Sequence, residues 1–201
     1  MAVRFCIFDV GQVCYPYSLE PLQKFLQEKT DNKNLFEQRD GVLSFDFKPF
    51  MKGEISFHSF CQALCTHTQV RYFEEIEQLI DEALHKGVGA FFAETLEAMQ
   101  FLKICGIEIC LLSNALPNLK GTGACLVKPE FAFTSYDLGL LKPDPLIYQV
   151  VLQKLGAKPQ EVIFIDDKKK NVEAAKSLGI LGIVFKRDTL KEDILKLISN
   201  F

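Results

Sequence analysis

Three acidic side chains and one lysine stand where apolar stretches of this 201-residue chain stop. Asp9 ends the run Val3-Arg4-Phe5-Cys6-Ile7-Phe8, and Gly11 follows it two residues later. Asp166 and Asp167 close Val162-Ile163-Phe164-Ile165, with Asn171 shortly after, and Lys142 precedes Pro143-Asp144-Pro145. A carboxylate at the tip of a buried strand is costly to desolvate unless a metal ion or a lysine waits there. Carboxylates, a lysine and hard oxygen donors are the parts of a phosphate-transfer site. Ser113-Asn114, at the end of another apolar run, adds a hydroxyl and an amide. Taken singly, each residue has a plainer reading. Asp9 could be a structural aspartate, Ser113-Asn114 a turn, Lys142 a surface lysine, and the Asp pair a helix cap.

These residues can meet only if the runs before them lie side by side. Val3–Asp9, Ile107–Ser113, Phe131–Ser135, Val162–Asp166 and Gly182–Phe185 are short and nearly all apolar, as strands covered on both faces should be. Helical signals alternate with them. Phe92, Leu96, Met99 and Leu102 recur at helical spacing, and so do Leu190, Ile194, Leu197 and Phe201. Asp144-Pro145 reads as an N-cap followed by proline at the first helical position. The pattern predicts an α/β fold with a Rossmann-like, five-stranded parallel core built from residues 1–16 and 88–201. The stretch from Tyr15 to Gly87 breaks the alternation. It carries helix-like segments at Leu19–Lys29, Ser56–His67 and Tyr72–Leu84, and no convincing strand. Residues 17–87 are therefore expected to form a helical cap above the carboxyl ends of the sheet, where α/β proteins bind ligands.

Composition narrows the partners. The chain is 48% hydrophobic, enough for a sizeable core, and its net charge of −3 argues against a nucleic-acid partner. No apolar run reaches membrane-spanning length and no signal-like segment opens the chain, so the expected location is the cytoplasm. The seven cysteines contain no CxxC and are expected to be reduced thiols, mostly in the core. His58, His67 and His85 are not spaced with them as zinc ligands. His58 and His67 are weak candidates for touching a substrate. Lys168-Lys169-Lys170 reads as a solvated run that could also draw an anion. Gly121-Thr122-Gly123 reads as a loop.

Four segments carry a resemblance over essentially the whole chain. They are Phe8-Asp9-Val10-Gly11-Gln12-Val13, Leu111-Leu112-Ser113-Asn114, Gly139-Leu140-Leu141-Lys142-Pro143-Asp144-Pro145-Leu146-Ile147-Tyr148, and Phe164-Ile165-Asp166-Asp167 with Asn171. In order and spacing they resemble the haloacid dehalogenase-like (HAD) superfamily of hydrolases. The nearest branch holds glucose-1-phosphate phosphatase-like proteins and the amino-terminal phosphatase domains of epoxide hydrolases. Lys52-Gly53-Glu54-Ile55-Ser56 with Phe60 is similar to the helical cap of that branch.

The resemblance implies roles. Asp9 would be the nucleophile, forming an aspartyl-phosphate. Ser113 and Asn114 would hold the phosphoryl oxygens, and Lys142 would balance their charge. Mg²⁺ would be held by Asp9, the Gly11 carbonyl and Asp167. Asp166 would sit beside or behind the ion and pair with Lys142, and Asn171 would orient a carboxylate or a water. The expected function is a Mg²⁺-dependent phosphatase of small phosphorylated metabolites, sugar phosphates first. Most phosphatases of the superfamily carry a second aspartate two residues after the nucleophile. Here Gly11 takes that place, and the acid/base step has no obvious owner. That glycine motivates one alternative, a non-catalytic or weakly active binding or regulatory protein. A 2-haloacid dehalogenase is the other.

Overall fold

In the computed structural model, which describes residues 2–30, 32, 44–119 and 128–199, the expected strands pair. β1 (Phe5–Phe8), β2 (Glu108–Ser113), β3 (Ala132–Thr134), β4 (Val162–Asp166) and β5 (Leu181–Val184) form one sheet in the order β3-β2-β1-β4-β5. Every pairing is parallel. Period-two geometry divides the strand residues between the two faces. Cys6 and Phe8 join Ile109, Leu111, Ile163 and Ile165 on one face, while Phe5 and Ile7 join Cys110, Leu112, Val162 and Phe164 on the other. Both faces are covered, which is why these strands read as unbroken apolar runs.

The cover is helical. Met99 and Leu102 of α5 (Ala93–Ile104) and Leu190 and Ile194 of α9 (Leu190–Ile198) pack on the first face. Ile147 and Val151 of α7 (Pro145–Leu155) and Val172 and Ala175 of α8 (Lys169–Ser177) pack on the second. The Asp144 side chain accepts from Leu146 N–H, capping α7 as its sequence implies. The stripe expected on α5 is rotated. Thr95 and Ala98 face inward with Met99 and Leu102, while Leu96 is exposed. Thr95 is tolerated there because its hydroxyl donates to Val13 O at 2.6 Å, so no polar group is left unpaired.

Between β1 and α5 the described chain is helical: α1 (Glu20–Lys29), α2 (Lys48–Met51), α3 (Phe57–Thr68) and α4 (Ile76–Lys86). Ser56 caps α3 by accepting from Ser59 N–H at 3.1 Å. Leu22, Leu26, Phe60, Leu64, Ile76 and Ile80 build a second core, separate from those of the sheet. The two chain crossings between this segment and the sheet run side by side. Ser18 N–H donates to Gly87 O at 3.0 Å and Gly89 N–H to Pro16 O at 2.9 Å. The approach is so close that a Cβ on Gly87 would stand 2.1 Å from Ser18 O.

Two polar contacts tie the helical segment down. The buried Ser135 hydroxyl, at the start of α6 (Ser135–Leu138), donates to Met51 O at 2.7 Å. Asn118 Nδ2 donates to Asp81 Oδ1 at 2.6 Å.

Some sequence expectations meet a different environment. Cys6, Cys14, Cys61, Cys65 and Cys110 are buried free thiols, but Cys105, just past the end of α5, is exposed. Among the described residues no helix is long and apolar enough to cross a membrane. Gly121-Thr122-Gly123, Cys125 and Phe201 lie outside the described residues.

Candidate active site

β1 is the central strand, and the chain departs from it in opposite directions, to β2 and β3 on one side and to β4 and β5 on the other. Such a switch point leaves a crevice at the carboxyl ends of the strands. Asp9 sits there, one residue beyond β1, its N–H held by Ile165 O at 2.8 Å. Ser113 ends β2 and Asp166 ends β4 on either side. The motif residues, far apart in sequence, are gathered by the strand order.

Lys142 is the hub of this floor. Its ammonium donates to Asp9 Oδ1 at 2.8 Å, to Asp166 Oδ2 at 2.7 Å and to Leu112 O at 2.7 Å, which uses its three protons. It is only 4% exposed, so the surface-lysine reading does not apply. Asp166 is fully buried and its oxygens are all engaged. Asn171 Nδ2 lies 2.9 Å from each of them, and Lys168 N–H donates to Oδ1 at 2.8 Å. Helix α8 is capped by Lys168, without a side-chain bond, so neither aspartate serves as its N-cap. The Asn114 side chain bonds the backbone of Lys142 at the edge of the cavity. Its amide donates to Lys142 O and accepts from Lys142 N–H, both at 2.9 Å. Ser113 is buried and lines the cavity above.

Charge on this floor is unbalanced. Carboxylate oxygens of Asp9, Asp166 and Asp167 lie within 4.8 Å of one another, and Lys142 is the one buried cation among the described residues around them. Burial holds the Asp9 carboxyl above the usual carboxylate range. Lys142 pulls it down and the charge of Asp166 pushes it up. Burial also raises Asp167, with Lys168 acting against the rise. For Lys142 burial opposes the charged form, but Asp9 and Asp166 more than offset it and keep the ammonium protonated. Asp167 Oδ1 and Asn171 Oδ1 are sealed and have no partner. A sealed carboxylate oxygen among clustered acids is the environment a hard divalent cation satisfies, so these residues fit a metal ion.

Above the floor opens a cavity of about 890 Å³. Asp9, Gly11, Ser113, Asn114, Lys142 and Asp167 all line it, and so does Asn171. Its upper walls are largely apolar, with Leu19, Phe47 and Met51 from the helical segment and Leu116 and Leu119 from the loop after β2. Lys168 also borders it; Lys169 instead pairs with Glu173 at 3.4 Å on the surface. The two histidines considered as substrate contacts do not line it. His58 pairs with Glu77 at 2.6 Å and with Tyr72, and His67 with Ser44 at 3.1 Å. Tyr17, which the sequence did not single out, lines the cavity and carries another sealed hydroxyl without a partner. The Leu112 carbonyl was equally invisible, because a backbone acceptor leaves no mark on residue type.

Comparison with known proteins agrees with this geometry. A family model described as haloacid dehalogenase-like hydrolase matches residues 16–179. Bifunctional epoxide hydrolase 2 of Sus scrofa is 30% identical over 94% of this chain, and the match spans 37% of that longer protein. The phosphorylated carbohydrates phosphatase of Thermotoga maritima is 54% identical over 115 residues, 55% of this chain and 50% of the relative. A HAD family enzyme of Bacteroides thetaiotaomicron, solved with magnesium and inorganic phosphate, superimposes with a TM-score of 0.74 at 21% identity, covering 92% of this chain and 96% of that one. With a family model matched along most of its length, this chain belongs to the haloacid dehalogenase-like hydrolases.

Proposed function

We propose that the protein is a Mg²⁺-dependent phosphatase of small phosphorylated metabolites, acting through an aspartyl-phosphate on Asp9. The observation that carries this reading is Lys142, whose ammonium lies 2.8 Å from Asp9 Oδ1 and 2.7 Å from Asp166 Oδ2. It orients the nucleophile and adds positive charge where a phosphoryl group arriving at Asp9 would spread its negative charge. Asp9, the Gly11 carbonyl and Asp167 would hold the Mg²⁺, and the sealed Oδ1 of Asp167 supports that assignment. When bound, the ion supplies charge neutralisation at the phosphoryl oxygens. Asp166 and Asn171 stand behind as orienting groups. Ser113 faces the phosphoryl oxygens from β2, and Asn114 acts with it by fixing the backbone of Lys142.

In the reaction, a carboxylate oxygen of Asp9 attacks phosphorus and the bond to the leaving oxygen breaks. Water then displaces Asp9 from phosphorus and restores the carboxylate. Residues 17–87 act as a cap over a core of residues 1–16 and 88–201. The part that Leu19, Phe47 and Met51 take in the cavity wall supports this division. Sugar phosphates are the first substrates to try, on the strength of the resemblance and of the name borne by the Thermotoga maritima relative.

The test is phosphate release from p-nitrophenyl phosphate and a panel of phosphorylated metabolites, with Mg²⁺ and with excess chelator. Turnover that needs Mg²⁺ supports the reading. Full turnover in chelator, halide release from a 2-haloacid, or no reaction with any compound would each oppose it.

A further inference from the structure

Resting on the metal assignment of the phosphatase reading above, we propose that Gln12 is a positioning residue for the Mg²⁺ site. Its side-chain amide straps the turn that carries the Gly11 carbonyl to the chain crossing at Tyr17.

Gln12 borders the cavity three residues after Asp9, and its φ is +66°. Glycine enters that left-handed region freely, and a residue with a side chain enters it at a cost. Among the described residues only one other non-glycine residue, Gln69, has a positive φ. Gln69 is the C-cap of α3, where a left-handed residue is a common way to end a helix. Gln12 ends no helix, and it is exposed, so no core packing forces its backbone. Backbone strain of this kind gathers at active sites and ligand clamps.

Hydrogen bonds hold the strained conformation. Gln12 Nε2 donates to Tyr17 O at 2.7 Å, and Gln12 N–H donates to Tyr15 O, also at 2.7 Å. Only the nitrogen of a glutamine amide can face a carbonyl, so the contact needs this side chain's donor. Tyr17 is a firm anchor. It pairs with Val88 in an antiparallel bridge between the two chain crossings, with Ser18 bonded to Gly87 and Gly89 to Pro16 on either side. The turn itself is closed by Cys14 N–H, which donates to Val10 O at 2.8 Å, and by the Cys14 thiol, which donates to Asp9 O at 3.3 Å. Val10 N–H donates to Asp9 Oδ1 at 2.7 Å, so the same turn bears on the nucleophile.

The consequence is directional. The Gly11 carbonyl and the Gln12 N–H belong to one trans peptide, whose two polar groups point in opposite directions. With Gln12 N–H held by Tyr15 O, the Gly11 carbonyl is turned to the other side, and the strap at Tyr17 restrains the plane from rotating. Mg²⁺ demands near-octahedral geometry, so a neutral carbonyl serves it only when well aimed. Groups that orient a metal's ligands are worth about 10–100-fold in affinity.

The experiment is calorimetric titration of the protein with MgCl₂ alone, in the wild type, Gln12→Met and Gln12→Gly. Methionine keeps the length of the side chain without the donor. Glycine also lacks the donor but suits the left-handed backbone. We expect the Mg²⁺ Kd to rise at least about tenfold in both variants. If Gln12 served only the backbone conformation of the turn, Gln12→Gly would bind Mg²⁺ as the wild type does. A wild-type Kd in either folded variant therefore overturns the inference. Circular dichroism in chelator checks folding, and if Gln12→Met does not fold, Gln12→Gly decides alone. Absence of Mg²⁺ binding by the wild type refutes the metal assignment and the inference together, whereas wild-type binding that a variant retains refutes the inference alone.

Discussion

Asn114 and Lys142 exchange two hydrogen bonds, amide to carbonyl and backbone N–H to amide oxygen, each of 2.9 Å. The asparagine after β2 thereby fixes the backbone from which Lys142 reaches Asp9. Asn114→Ala removes both bonds. We expect a stability loss of about 1–3 kcal/mol in urea denaturation, together with a lower kcat. A raised KM with unchanged stability would mean that Asn114 binds substrate directly and does not brace Lys142.

Asp166 is fully buried and shares Lys142 with Asp9. Asp166→Ala breaks a buried ion pair from one side and strands its partners, Asn171 and Lys168 N–H. The expected cost is about 3–5 kcal/mol. Asp166→Asn keeps the shape and one acceptor and should cost less. Urea denaturation of the two variants checks the order, and equal losses would contradict it.

Mg²⁺ should stabilise the fold, by RT ln(1 + [Mg²⁺]/Kd), and Asp167→Ala should abolish most of that gain. The effect has a definite pH sign. Burial raises Asp9 and Asp167 above the ordinary carboxylate range, so the metal-free fold keeps their protons to higher pH than the unfolded chain does. Their contribution to metal-free stability is present at low pH and is lost as pH rises through the raised values. Metal binding needs the ionised forms. The Mg²⁺-induced rise in Tm should therefore grow with pH from the acid side toward neutrality. Thermal melts in Mg²⁺ and in chelator at several pH values measure it, and a rise largest in acid would be the wrong sign.

Ser135 joins three segments. Its hydroxyl donates to Met51 O at 2.7 Å and accepts from Ala115 N–H at 3.1 Å. Ser135→Ala leaves buried backbone groups unpaired, which should cost about 1–3 kcal/mol. If the helical segment moves as a lid, the variant should also change the protease sensitivity of residues 44–60. Unchanged stability would show that water replaces the hydroxyl at no cost.

The parts of this site that sequence exposes are those fixed by strand ends. Asp9, Ser113 and Asp166 follow apolar runs, and parallel pairing brings any three neighbouring carboxyl ends together whatever their separation in the chain. Lys142 and Asn171 were reached through motif spacing. What stayed hidden depends on register and on backbone atoms. The rotation of α5 that buries Thr95 and exposes Leu96 is matched by the Val13 carbonyl on the same face of the sheet, which accepts the Thr95 hydroxyl. The engagement of Asn114 with Lys142, and of Leu112 O with the ammonium, cannot be seen until the loop after β3 is placed. His58 and His67 looked available on a polar helix face, but each had a nearer partner.

The central claim is that Asp9 carries the phosphoryl group. Its most direct test is chemical trapping. The protein is mixed with Mg²⁺ and an aryl phosphate, quenched, treated with hydroxylamine, digested, and analysed by mass spectrometry. The account predicts a hydroxamate on the peptide containing Asp9 in the wild type. It predicts none in Asp9→Asn, which should keep its fold and lose turnover. Full phosphate release by Asp9→Asn, or a trapped group on a different residue, would contradict it.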